Sequence, residues 1–281
     1  MQITINQNYE NSRIDRFLRE NFEAPQGIIA SVIRKGKVKV NGKKVEQNAR
    51  LSIGDIVTVY HHFNDSRTEV FTISKEELTE FTSWIIFENQ DIFAINKPHG
   101  ISSQGGVRAR LSVDVMAKSY NPEARITHRL DKETSGIMII AKNKYSARHI
   151  TGLFAEGLVK KKYIAIAHFN PNVKTKGEII SNLEKDVKAQ KMFTTSGRDA
   201  ITHYEIANHT EDFALVNIAP QTGKMHQIRV HLSSMNMPIL GDEKYGGAPN
   251  NRMMLHAYSI EFDSLKIECS EDEDFTNFFP S

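Results

Sequence analysis

The sequence predicts an α+β protein, and three observations carry that expectation. Residues 12–60 combine two short amphipathic helices with a turn-linked pair of strands. A run of five apolar residues, Ile137 to Ala141, has the length of a buried strand. Helical spacing over residues 143–157 then gives way to alternating, strand-like segments at 160–167, 203–208 and 213–220. Helices and strands are thus interleaved along the whole chain.

The 281 residues allow one large domain or two of ordinary size. Hydrophobic residues make up 40% and charged residues 25%, the balance of a soluble globular chain. No apolar run approaches a membrane span, and the first residues lack the order of a secretory signal. The single cysteine, Cys269, excludes an internal disulfide framework and a cysteine-rich zinc site. A cytosolic protein is expected. The net charge of +2 hides an asymmetry. Residues 261–281 hold seven acidic side chains and one lysine, leaving 35 Lys+Arg against 27 Asp+Glu elsewhere. A polyanionic partner suits that balance.

In the N-terminal module, Ser12 or Asn11 is expected to cap a helix carrying Ile14, Phe17 and Leu18 on one face. A break at residues 24–27 precedes a second helix over 28–36, stopped by Gly36. Asn41-Gly42 joins two short strands, the strongest local signal for a hairpin. A turn over 51–55 leads into a strand at 56–60. Between residues 28 and 50 there are seven Lys/Arg and only Glu46 to oppose them. Arg34, Lys35, Lys37 and Lys43 are the candidates for tracking phosphates. A solvated basic face is the plainer alternative. The order of pieces resembles the S4 RNA-binding domain over about residues 12–60, including its G-x-V-x-V-N-G and G-D turns.

Residues 61–82 are polar, apart from a β-like stretch at 70–73, and are expected to be linker. His61 and His62 are adjacent, which is not a metal-ligand spacing. From Trp84 a larger domain begins, with strands at 84–88 and 91–96 flanking a tight turn at Asn89-Gln90. The expected division is 1–65, an RNA-binding module, 66–82, a linker, and 83–281, a catalytic domain. Gly105-Gly106 lies in a flexible segment without phosphate-loop spacing, and residues 111–119 have helical spacing. Residues 171–200 look irregular, basic and mobile. A helix beginning at Met225 is expected to put His226 and Arg229 on one face. Residues 238–247 are turn-rich, 255–260 form a final apolar segment, and the acidic tail either packs by its aromatics or stays loose.

The most informative stretch is His128-Arg129-Leu130-Asp131-Lys132-Glu133-Thr134-Ser135-Gly136, set directly before the apolar run. A carboxylate anchored between basic residues at the end of a core strand is how a protein positions a nucleophile or base. On pattern alone a charged turn fits equally well. Two other blocks stand at a distance, Lys160-Lys161-Lys162-Tyr163 and Gly223-Lys224-Met225-His226-Gln227-Ile228-Arg229. With Met253-Met254-Leu255-His256-Ala257 they resemble, in order and spacing, the motifs of the RluA-type pseudouridine synthases. With the S4-like module this resemblance covers nearly the whole chain.

The resemblance implies a mixed, mainly antiparallel sheet flanked by helices, with the active-site cleft running along it. By matching position Asp131 would be the catalytic aspartate, Arg229 its partner and Tyr163 the ring that stacks on the base. Arg129 would fill the space vacated by a flipped uridine, and Leu255 would wall the pocket. His128, Lys224, His226 and Gln227 are the further expected RNA contacts. Lys224 and Met225 depart from the family's usual Arg and Thr/Ser, keeping the charge but losing a bidentate fork and a hydroxyl. The implied reaction isomerises uridine to pseudouridine in RNA, needs no cofactor or metal, and is expected of a monomer. Large-subunit ribosomal RNA, as in the RluC-like branch, is the expected substrate. Transfer RNA and a non-catalytic assembly factor are the rival readings.

Overall fold

The computed structural model describes all residues except 23, 25, 62, 64–72, 106–110, 187–188, 190, 271–272 and 280–281. His62, most of the β-like stretch at 70–73 and the glycine segment from Gly106 to Arg110 therefore lie outside the described residues. The chain divides into two compact units, residues 1–71 with 106–108, and residues 72–105 with 109–281.

In the first unit, strands β1 (Gln2–Thr4), β2 (Val38–Val40), β3 (Lys43–Lys44) and β4 (Ile56–Val59) form an antiparallel sheet in the order β1-β4-β2-β3. Helices α1 (Ile14–Phe22) and α2 (Gln26–Arg34) bury Ile14, Phe17, Leu18, Ile29 and Ile33 with Val38 and Val57 of the sheet. Asn41 and Gly42 take φ values of 51° and 78°, the left-handed pair a two-residue hairpin requires. Among the described residues no side-chain hydrogen bond from Ser12 or Asn11 to α1 is seen. The helix starts at Ile14, where the amide of Phe17 donates to the carbonyl of Arg13. The buried carboxylate of Asp15 accepts from Arg13, Gln26 and Gln47 and ties the module together.

The second unit opens with α3 (Lys75–Ser83), inside the segment expected to be linker. Its start is a capping box, in which Ser74 and Glu77 satisfy each other's backbone amides, and Phe81 is wholly buried in this unit's core. The boundary expected at residue 83 thus falls inside a packed element. A ten-stranded sheet, counted among the described residues, follows. It runs β10 (Lys176–Asp186), β11 (Lys191–His209), β12 (Phe213–Pro220), β9 (Lys160–His168), β13 (Leu255–Phe262), β8 (Ser135–Ala141), β6 (Ile92–Lys97) and β5 (Ile85–Glu88). Two short strands complete it, β7 (Arg125–Ile126) on β8 and β14 (Leu265–Glu268) on β13. All pairings are antiparallel except β8 with β13.

Every residue of β8 is buried. Met138 and Ile140 pack beneath α3 and α4 (Val113–Tyr120), while Ile137 and Ile139 pack on the other face with α5 (Lys144–Ala155). A strand covered on both faces reads as an unbroken apolar run. Residues 171–200, expected to be irregular, instead contain β10 and the start of β11, a long hairpin with a register shift at Ser181/Asn182. The acidic tail packs: α7 (Glu273–Phe278) buries Phe275, and Asp274 pairs with Arg252 at 3.3 Å.

Candidate active site

The polar run 128–134 leaves the sheet at the N-terminal end of β8, at its parallel junction with β13. Gly136 pairs with Ala257, which in turn pairs with Tyr163 on β9. Three strands distant in sequence thereby bring the Asp131 loop, Tyr163 and Leu255 together. A Cβ at Gly136 would collide with the backbone carbonyl of Ala257, and its φ is 110°, so only glycine fits this junction. A cleft of about 990 Å³ opens above it, lined by Arg129, Asp131, Tyr163, His226, Arg229 and Leu255 among others.

Arg229 lies on α6 (Gln227–Ser234), which begins two residues later than expected. His226 precedes the helix in a left-handed conformation, φ 55°. Both side chains nonetheless reach Asp131. Nη1 of Arg229 donates to Oδ2 at 3.1 Å, and Nε2 of His226 lies 3.8 Å from the same oxygen. Nε and Nη2 of Arg229 donate at 2.7 Å each to Asp242, a buried carboxylate. Burial works to deprotonate Arg229, and the two carboxylates more than offset it, holding the guanidinium charged. Burial, with Asp131 adding to it, pushes the hydroxyl of Tyr163 well above the usual tyrosine value. Tyr163 is therefore a neutral ring with a proton on its oxygen.

Two residues expected to touch substrate are engaged inside the protein. Nε2 of His128 accepts the amide of Ile139 at 2.9 Å, and its ring stacks on Phe154 at 4.6 Å. Burial pulls its pKa down to about 3, so it stays neutral. The amide of Gln227 donates to the carbonyl of Ile201 and to Thr202, while its oxygen accepts from Thr222 and the amide of Lys224. Both line the cleft while making these internal contacts. Arg129 and Lys224 are exposed at its edge. Lys161, one residue of the basic cluster before Tyr163, also lines it and donates to the carbonyl of Thr222 at 3.1 Å. The remaining expected contacts, Arg34, Lys35, Lys37 and Lys43, are exposed on the first unit. None of the four is in an ion pair among the described residues.

Asp242 and Tyr245 were not anticipated as site residues. Their signal was weak, a Gly-Asp-Glu-Lys-Tyr-Gly string that reads as a turn.

The family model described as RNA pseudouridylate synthase matches residues 91–234, and that of the S4 domain matches residues 12–57. Among curated proteins, ribosomal large subunit pseudouridine synthase C of Rickettsia bellii is 37% identical, with 92% of each chain covered. The protein of the same name from Vibrio cholerae is 30% identical, over 92% of this chain and 88% of that one. Among solved structures, human RNA pseudouridylate synthase domain containing 4 aligns with a TM-score of 0.59 at 27% identity. The alignment covers 72% of this chain and 94% of that one. The chain belongs to the RNA pseudouridylate synthase family, enzymes that isomerise uridine to pseudouridine within RNA. Its RNA-binding part is an S4 domain.

Proposed function

We propose that this enzyme acts on uridines of large-subunit ribosomal RNA in the cytosol, with Asp131 as its reactive carboxylate. The observation that carries the reading is the approach of Arg229 and His226 to Oδ2 of Asp131 in a cleft that Tyr163 and Leu255 also line. The substrate class is supported by the names of relatives that match over nearly the full chain.

The reaction breaks the N1–C1′ bond of uridine, turns the uracil, and forms a C5–C1′ bond. C5 gives up its proton and N1 ends with one, so no electrons are gained or lost. A stacked base is out of reach, so the target nucleotide leaves the helix at a cost of roughly a few kcal/mol. Arg129, exposed at the cleft edge, is suited to fill the gap and contact phosphates. Asp131 attacks in its ionised form, with Arg229 supplying the counter-charge. The neutral Tyr163 ring stacks on the uracil, and Leu255 excludes water from the separated base. Lys224 and the S4 domain's Arg34, Lys35, Lys37 and Lys43 contact the RNA backbone. The RNA-binding part is taken as residues 1–65 and the catalytic part as the chain from α3 onward.

Two measurements test the reading. Pseudouridine maps of total RNA from cells with and without the gene should differ at large-subunit positions. An unchanged ribosomal map with altered transfer RNA would refute the substrate assignment. Purified Asp131→Asn should bind RNA and form no pseudouridine, and product from that variant would remove Asp131 from the chemistry.

A further inference from the structure

The loop at residues 241–247 carries two side chains that no step above uses. Asp242 is 2% exposed and takes both nitrogens of one edge of Arg229. A guanidinium offered one carboxylate grips both of its oxygens through two parallel hydrogen bonds. Here the Nε/Nη2 edge is occupied by Asp242, and Asp131 receives Nη1 through Oδ2. Among the described residues no side-chain hydrogen bond reaches Oδ1 of Asp131.

Tyr245 acts on the same pair from the other side. Its ring lies 5.0 Å from the Arg229 guanidinium carbon. Its hydroxyl accepts the amide of Met192 at 3.0 Å and lies 2.6 Å from Nδ1 of His226. With Met192 donating to the oxygen, the hydroxyl proton is free to point at Nδ1. Nε2 is then the nitrogen of His226 that carries hydrogen, facing Oδ2 of Asp131.

The loop is fastened tightly enough to serve as a template. Side chains at Gly241 and Gly247 would strike the carbonyls of Arg252 and Ile239. The amide of Gly247 donates to the carbonyl of Asp242 at 2.9 Å, and Ser233 of α6 donates to the carbonyl of Tyr245 at 2.8 Å.

We propose that Asp242 and Tyr245 are positioning residues for the isomerisation. Asp242 splits the Arg229 fork so that Asp131 keeps one oxygen uncommitted for attack, and Tyr245 fixes the tautomer of His226 beside the other oxygen. This rests on the reading of Asp131 as the reactive carboxylate.

The test separates chemistry from binding, using the full chain and a large-subunit RNA fragment containing a uridine whose modification depends on the gene. Asp242→Asn keeps the shape and removes the charge, which frees Arg229 to pair with both oxygens of Asp131. Its single-turnover rate constant should fall about a hundredfold, the scale of a small misplacement of a reacting group, with RNA affinity retained. Asp242→Glu restores the charge and should recover part of the rate. Tyr245→Phe removes one hydroxyl and should slow turnover about tenfold, the scale of one hydrogen bond to a reacting network.

An Asp242→Asn rate close to wild type, or a loss carried by RNA affinity instead of rate, overturns the proposal. So does Asp242→Glu no faster than Asp242→Asn. If Asp242→Asn does not fold, Tyr245→Phe decides, and an unchanged rate there refutes the inference. Asp131→Asn is assayed in parallel. Activity in that variant defeats the underlying assignment, whereas an inert Asp131→Asn beside an unimpaired Asp242→Asn defeats only the positioning role.

Discussion

Lys97 has no exposed surface, yet its ammonium is near the Asp131 loop, donating to the carbonyls of Pro98, Ile101 and Lys132 at 2.8, 2.9 and 3.2 Å. Burial pushes its pKa down to about 7 from 10.5. In the unfolded chain the amine titrates at its ordinary value, so between about pH 7 and 10.5 unfolding takes up a proton. This group's cost to stability is therefore full below pH 7 and is relieved as pH rises across that window. Lys97→Met has no such titration. Urea unfolding from pH 7 to 10 should show wild-type stability rising relative to Lys97→Met, and a constant difference would refute the shift. Lys97 passed unnoticed in the sequence because an Asn-Lys-Pro string after a strand reads as an exposed turn. Asp131, Tyr163 and Arg229, which line one cleft, each stand in a distinctive sequence block. His128 and Gln227 stand in the same blocks, and a motif does not show the hydrogen bonds that each makes inside the protein.

Among the elements, the pairing of β8 with β13 sets the site, because it draws the Asp131 loop beside Leu255 and Tyr163. Gly136→Ala puts a Cβ into the backbone of Ala257 at a φ of 110°. Neither side can yield without breaking the parallel junction, so the change should cost about 3 kcal/mol or more. Chemical denaturation should show it, with activity lost alongside. An unaltered midpoint would mean that the strands part there at little cost. The junction joins residues 121 apart, which no local pattern reveals, whereas β8 itself was plain from its apolar run. The hairpin of β10 and β11 was missed for a different reason. Its buried positions are few, Ser181 on β10 and Ala200, Thr202 and Tyr204 on β11, so the period-two apolar signal is weak. In α3 the signal existed, since Ser74 and Glu77 have capping-box spacing, but a polar neighbourhood outweighed it.

Across the whole chain, the candidate RNA-contacting cations fall into two groups. Most of the S4 domain was readable because the Asn41-Gly42 hairpin and two short helices follow one another within fifty residues, whereas β1, which pairs with distant β4, left no such local signal. Lys35, Lys37 and Lys43 are exposed there, on the end of α2 and the adjoining hairpin. The cleft holds its own cations, Arg129, Lys161, Lys224 and Arg229, on other elements. If the domain tracks phosphates, every lysine neutralised there leaves one phosphate with its counterions. The slope of log affinity against log salt then becomes shallower by about 0.7 to 0.9 per lysine. The triple variant Lys35→Gln, Lys37→Gln, Lys43→Gln should therefore bind RNA more weakly and with a shallower salt dependence. At saturating RNA its single-turnover rate should equal that of the wild type, because Asp131, Arg229 and Tyr163 are untouched. A salt slope identical to wild type would remove these lysines from the RNA interface. A slower reaction at saturation would instead mean that the domain takes part in presenting the uridine to Asp131, beyond holding the polymer nearby.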